Sequence, residues 1–193
     1  MRVEIRICGL GGQGVILAGE ILGLAAILDG KYAVQMRSYG SEARGTAAKS
    51  DIIISNEKIK YPLIEKCDIM IAMSQPALNK YIKTLKPNGI LIIDGDLVKE
   101  TPKEAKMKTY SVKATRIANE KYNRIVANMI MLGFMSEKTG IISSKALEKA
   151  IEMRVKRMTK MNIEAIREGV KLAQKSKRHS FQSQYNILNT RQK

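Results

Sequence analysis

Polar and apolar positions alternate along Met1-Arg2-Val3-Glu4-Ile5-Arg6-Ile7, the period of a half-buried strand. That strand runs straight into Cys8-Gly9-Leu10-Gly11-Gly12-Gln13-Gly14. Residues 14–28 are apolar on almost every side, with Glu20 their one charge, which predicts a helix buried on more than one face. Asp29-Gly30 ends it, and Tyr32-Ala33-Val34-Gln35-Met36 opens a second strand. Strand, glycine turn, helix and strand in this order form a βαβ unit and predict a parallel sheet.

Residues 37–50 read as an irregular polar segment. Asp51–Ser55 resumes as a strand, and Asn56-Glu57-Lys58 as a turn before Ile59-Lys60-Tyr61, so a small hairpin is expected to be inserted here. Cys67–Met73 has the apolar run of a buried strand and ends at Ser74, an N-cap residue, with Pro76 in the first turn of a helix that places Ala77, Leu78, Tyr81, Ile82 and Leu85 on one face. Lys86-Pro87-Asn88-Gly89 predicts a turn, Ile90–Ile93 a central strand, and Thr109–Val112 a shorter one. From Ala114 the pattern is helical. Ile125, Val126, Met129, Ile130 and Leu132 mark a buried helix, Ser144–Met153 a second, and residues 155–175 a basic third. The fold class expected is α/β: a Rossmann-like, mostly parallel sheet flanked by helices, with an inserted β-hairpin and a helical C-terminal part. Residues 1–175 read as one domain and 176–193, polar and free of acids, as a mobile tail.

Charge and cysteine usage narrow the function. The net charge of +16 invites a nucleic-acid partner, but only 5% of residues are aromatic and they do not interleave with the basic ones, so a solvated face or a patch for an acidic partner subunit is preferred. Cys8 and Cys67 have no second cysteine close by, which excludes a zinc site or iron–sulfur cluster built by this chain alone. Both read as core residues. No stretch reaches membrane-spanning length and no secretory signal opens the sequence, so a cytoplasmic protein is expected.

Gly9, Gly11 and Gly14 match G-x-G-x-x-G after a strand and before a helix, with Gly12 and Gln13 between them. Such a loop lets backbone N–H groups at a helix N-terminus meet an anion; alternatively, its glycines only let helix and strand pack closely. The carboxylate that holds the ribose of NAD is missing, because the second strand runs into Met36-Arg37-Ser38. Arg37 leaves an NADP-dependent reductase open as an alternative. Tyr39-Gly40-Ser41-Glu42-Ala43-Arg44-Gly45 then forms a glycine-bracketed loop expected at the carboxyl edge of the sheet, where Arg44 either pairs with Glu42 or presents a planar fork to a phosphate or carboxylate.

G-L-G-G-Q-G, S-Y-G-S-E-A-R-G, I-K-Y-P, C-D-I-M-I-A-M-S-Q-P-A-L and N-M-I-M-L-G, in that order over residues 3–153, together resemble the gamma subunit of 2-oxoacid:ferredoxin oxidoreductases. The chain departs from that family at Thr46, where a second glycine is usual. The resemblance implies one subunit of an enzyme that converts a 2-oxoacid, such as pyruvate or 2-oxoglutarate, and coenzyme A to acyl-CoA and CO2 with reduction of ferredoxin. It implies alpha, beta and delta partners that carry thiamine diphosphate and the iron–sulfur clusters, no cofactor held by this chain alone, and no activity of the chain in isolation. Coenzyme A is a shared substrate, for which Gly9, Gly11, Gly12, Gln13, Gly14, Arg37, Tyr39, Gly40, Ser41, Glu42, Arg44 and Gly45 are the candidate contacts. No membrane or nucleic acid is expected as a partner, and a homodimer is expected when the chain is isolated.

Overall fold

Six strands hydrogen-bond side by side in the order β2-β3-β1-β4-β5-β6 in this computed structural model, which describes residues 1–38, 47–102 and 107–190, with side chains up to Ser176. The strands are β1 (Arg2–Leu10), β2 (Tyr32–Ser38), β3 (Ala47–Ser55), β4 (Cys67–Ala72), β5 (Leu85–Asp94) and β6 (Lys108–Val112). The helices are α1 (Val15–Leu28), α2 (Gln75–Tyr81), α3 (Ala114–Lys121), α4 (Ala127–Thr139), α5 (Ser144–Arg154) and α6 (Thr159–Thr190). Strands β1, β4, β5 and β6 pair in parallel, while β3 runs antiparallel to both β1 and β2. The sheet is therefore mostly parallel, as expected.

Alternation decides which side chain faces which layer. Ile5, Ile7, Ile52, Ile54, Ile69 and Ile71 face one side, where α1, α3, α4, α5 and α6 build the larger core. Cys8, Ile53, Met70, Ala72, Leu91 and Ile93 face the other, covered by α2 and the loop holding Ile64. Helix α4 is buried at every position from Ala127 to Ser136, which explains why that stretch is apolar but for Asn128 and Ser136. It packs against α6 at the closest range a helix pair allows: a Cβ on Gly133 would fall 2.1 Å from the Ile166 carbonyl oxygen, and one on Gly169 2.1 Å from that of Ile130.

Several expectations are corrected. The antiparallel insertion is the β2–β3 pair, and Ile59-Lys60-Tyr61 forms no strand. The polar residues before Asp51 belong to β3 because they find partners there: Ser50 is fully buried and accepts a hydrogen bond from Gln35 Nε2 at 2.8 Å, and Lys49 Nζ reaches Asp51 at 2.7 Å. The βαβ unit is real in direction, but β3 separates β1 from β2. Residues 86–89 do not break the chain into a turn; they form an irregularity within β5, with Asn88 in the left-handed region at φ 63°. Leu85 starts that strand instead of ending the helix face. Ile125 is 57% exposed, since it stands on a short 3-10 turn (Arg124–Val126) ahead of α4. Helix α6 runs to Thr190, beyond the residue 175 expected for the basic helix.

Candidate functional site

The connections part between the parallel neighbours β1 and β4: α1 leaves β1 toward one face of the sheet and α2 leaves β4 toward the other. In open α/β sheets the carboxyl edge at such a point is where ligands bind. A cleft of about 440 Å³ opens there. Its walls are the loop Gly11-Gly12-Gln13, Met73 at the end of β4, Thr115 in α3, and Asn123, Arg124, Ile125 and Ala127 ahead of and within α4.

The glycines of the loop divide their work. A Cβ on Gly9 would lie 2.6 Å from Gln13 Oε1 and 3.2 Å from the Met73 Cβ, so Gly9 serves close packing. Gly14 is the N-cap of α1 at φ 69°, and a Cβ there would meet Asn128 Nδ2 at 2.4 Å. Asn128, itself buried, donates to the Gly14 carbonyl at 3.0 Å and pins the start of the helix. Gly12 differs: at φ 92° its absent side chain would meet nothing within 4 Å. Gln13 is a brace, accepting from Leu10 N–H at 2.6 Å and donating to the Met73 carbonyl at 2.8 Å. Gly12 is thus left open toward the cleft, with Gly11 beside it in the wall.

The two helix starts at the cleft are not equivalent. At α3, Asp94 takes the Thr115 hydroxyl at 2.6 Å and the Thr115 N–H at 3.2 Å, while Asp96 takes Arg116 N–H at 2.8 Å. Burial raises the Asp94 carboxyl above its usual range, against the pull of these hydrogen bonds. The start of α1 has no side-chain cap, so its first N–H groups are available to an anion.

Arg37 is not part of this site. Strand β2 carries it to the flank of α1, where it pairs with Glu20 at 2.8 Å, and Arg154 holds the other Glu20 oxygen at 2.7 Å. Among the described residues the cation at the cleft is Arg124, which the sequence reading missed. Only the N-M-I-M-L-G motif that follows it signalled this region. Tyr39, Gly40, Ser41, Glu42, Arg44 and Gly45 lie outside the described residues. Cys8 and Cys67 are fully buried and free, and burial pushes each thiol up to about 12. Among the described residues no three His, Cys, Asp or Glu side chains gather into a metal site, and no helix is long and apolar enough to cross a membrane.

The family described as pyruvate ferredoxin/flavodoxin oxidoreductase matches residues 4–172. The chain belongs to this family. Within it, the chain is a gamma subunit of a 2-oxoacid:ferredoxin oxidoreductase, one component of a larger enzyme. It is 50% identical to 2-oxoglutarate synthase subunit KorC of Methanothermobacter marburgensis over 159 residues, which cover 79% of this chain and 86% of the relative. It is 32% identical to the common gamma subunit of the pyruvate/ketoisovalerate oxidoreductases of Pyrococcus furiosus, over 78% of this chain and 85% of that one. Among solved structures, the gamma subunit of a keto/oxoacid ferredoxin oxidoreductase from Geobacter sulfurreducens superposes with a TM-score of 0.78 at 42% identity, covering 89% of this chain and 98% of that one. A 2-oxoglutarate:ferredoxin oxidoreductase from Magnetococcus marinus with 2-oxoglutarate, coenzyme A and succinyl-CoA bound shares the fold, with a TM-score of 0.79 at 23% identity over 90% of this gamma subunit and 31% of that chain.

Proposed function

We propose that this gamma subunit serves an oxidoreductase that converts 2-oxoglutarate and coenzyme A to succinyl-CoA and CO2, passing two electrons to ferredoxin, and that its cleft takes part of the coenzyme A. The choice of 2-oxoglutarate is supported by identities to KorC subunits of 49–50% in three relatives and 34% in a fourth, against 31–32% to the pyruvate and pyruvate/ketoisovalerate subunits. The observation that carries the coenzyme A reading is the loop itself: an open position at Gly12, beside an uncapped helix start, at the switch point of the sheet. No ribose-binding carboxylate faces that loop among the described residues, which suits coenzyme A better than NAD. Arg44, on the glycine-bracketed loop, is a second candidate for a phosphate.

Alpha, beta and delta subunits supply the thiamine diphosphate and iron–sulfur clusters in this reading, in a cytoplasmic complex. Tyr32 and Met36, 47% and 38% exposed, share the face of edge strand β2 that is turned away from α1 and suit a surface covered by another chain. The isolated chain would hide that surface by pairing with itself. The test is anaerobic affinity purification of the tagged chain from its host, followed by assay of several 2-oxoacids with coenzyme A and ferredoxin. Co-purified partner subunits and oxidation of 2-oxoglutarate ahead of pyruvate support the reading; recovery of the chain alone with a bound nicotinamide nucleotide would support a free-standing reductase instead.

A further inference from the structure

Every guanidinium but two in the described part of the chain faces a carboxylate. Arg2 has Glu4, Arg6 has Asp51, Arg37 and Arg154 share Glu20, Arg116 has Glu120 and Arg167 has Glu148. Arg124 and Arg157 have no such partner among the described residues, and of the two it is Arg124 that lines the cleft. Among the described residues no acidic side chain lines that cleft either.

The backbone under Arg124 is firmly held. Asn123 accepts Ile125 N–H on its side chain at 3.1 Å and Val126 N–H on its carbonyl at 3.0 Å, and Val126 is buried. Arg124 and Ile125 are therefore presented outward on a fixed turn, one a cation with no counter-charge and the other an apolar side chain 57% exposed. A ligand suited to this pair is anionic in one part and apolar in the next. Across the cleft stand Gly11 and Gly12, the second with open space where a side chain would be.

We propose that Arg124 is the side chain with which this subunit grips a phosphate of coenzyme A, an inference that rests on the coenzyme A reading of the cleft. A guanidinium fork bonds phosphate oxygens in pairs, and with no internal carboxylate to give up, it does so without breaking an existing ion pair.

The test uses the assembled oxidoreductase carrying Arg124→Ala or Arg124→Lys. With alanine, the KM for coenzyme A rises roughly ten-fold or more, as expected for loss of a charge-assisted hydrogen bond, while the KM for the 2-oxoacid stays put. Lysine, which keeps the charge and loses the fork, recovers part of the deficit. Dephospho-CoA locates the contact: an alanine effect that vanishes with it assigns the 3′-phosphate, and one that persists assigns the pyrophosphate. An unchanged KM for coenzyme A, or an equal rise in both KM values, overturns the proposal. Gly12→Asp in the same enzyme separates the two claims. If it weakens coenzyme A binding while Arg124→Ala does not, the cleft stands and the role of Arg124 falls; if neither has an effect, both fall.

Discussion

Arg6 and Arg124 lie in two differently built parts of the molecule. Arg6 is 2% exposed on β1 and is met from every side: Asp51 by both oxygens at 2.6 and 2.7 Å, the Thr84 hydroxyl, the Ile64 carbonyl at 3.3 Å, and the ring of Tyr81 at 5.6 Å. Although burial alone would lower it, the pairing with Asp51 raises the pKa of Arg6 above its usual value. Arg124 is exposed and has no such partner among the described residues. A charge taken out of water must be fully satisfied by its own chain or it costs several kcal/mol. One left at the wall of a cleft costs nothing in folding and remains free to act on something else. The first arginine belongs to stability, the second to binding.

Removing Asp51 should strike hardest. Asp51→Ala leaves Arg6 buried without its counter-ion and should cost about 3–5 kcal/mol in a urea unfolding curve, whereas a paired change of Arg6→Met with Asp51→Leu should restore much of that loss. Gly14→Ala comes next. Its Cβ meets Asn128 Nδ2 at 2.4 Å at a backbone φ of 69°, so a loss of about 1–3 kcal/mol is expected in the same curve. The buried thiols add a pH dependence that appears only in alkali and changes nothing at neutral pH. With Cys8 and Cys67 held at about 12 in the folded chain against an ordinary thiol value of 9.0, the unfolded state loses its thiol protons first as pH rises. Their contribution is complete below pH 9 and should fall by about 1.4 kcal/mol per thiol for each unit between 9 and 12. Single Cys→Ala variants would flatten that slope, and both thiols should resist alkylation at pH 8 until the chain unfolds. Least of all should Arg124→Ala alter stability, by no more than about 0.5 kcal/mol. A loss near that of Asp51→Ala would erase the contrast between the two arginines.

Periodicity made much of this fold legible. The glycine loop, the greasy α1, the strand at Cys67–Ala72 with its Ser74 cap on Ala77 N–H at 3.3 Å, and α5 starting at Ser144 all follow local patterns. Strand β3 was half hidden, because Ser50 and Lys49 look solvent-facing until Gln35 and Asp51 are brought beside them. The exposure of Ile125 was hidden for the converse reason: an apolar residue in a helical period reads as core unless the helix starts two residues later. The glycines of the site were visible. Their division into packing and open positions was not, since it depends on Asn128 and Met73, distant in sequence. Arg37 misled by proximity, being adjacent in order to the βαβ unit but drawn aside by Glu20. Arg124 escaped notice because only the return of α4 to the sheet edge brings it to the loop.

The most direct test is calorimetric titration of coenzyme A into the anaerobically purified oxidoreductase with Gly12 replaced by aspartate, beside the asparagine variant of the same size and the natural chain. A Cβ at Gly12 points into open space, so the cleft and not the core should feel the change. The account predicts the weakest binding for aspartate, with asparagine in between; equal affinity in all three would place coenzyme A elsewhere and contradict it.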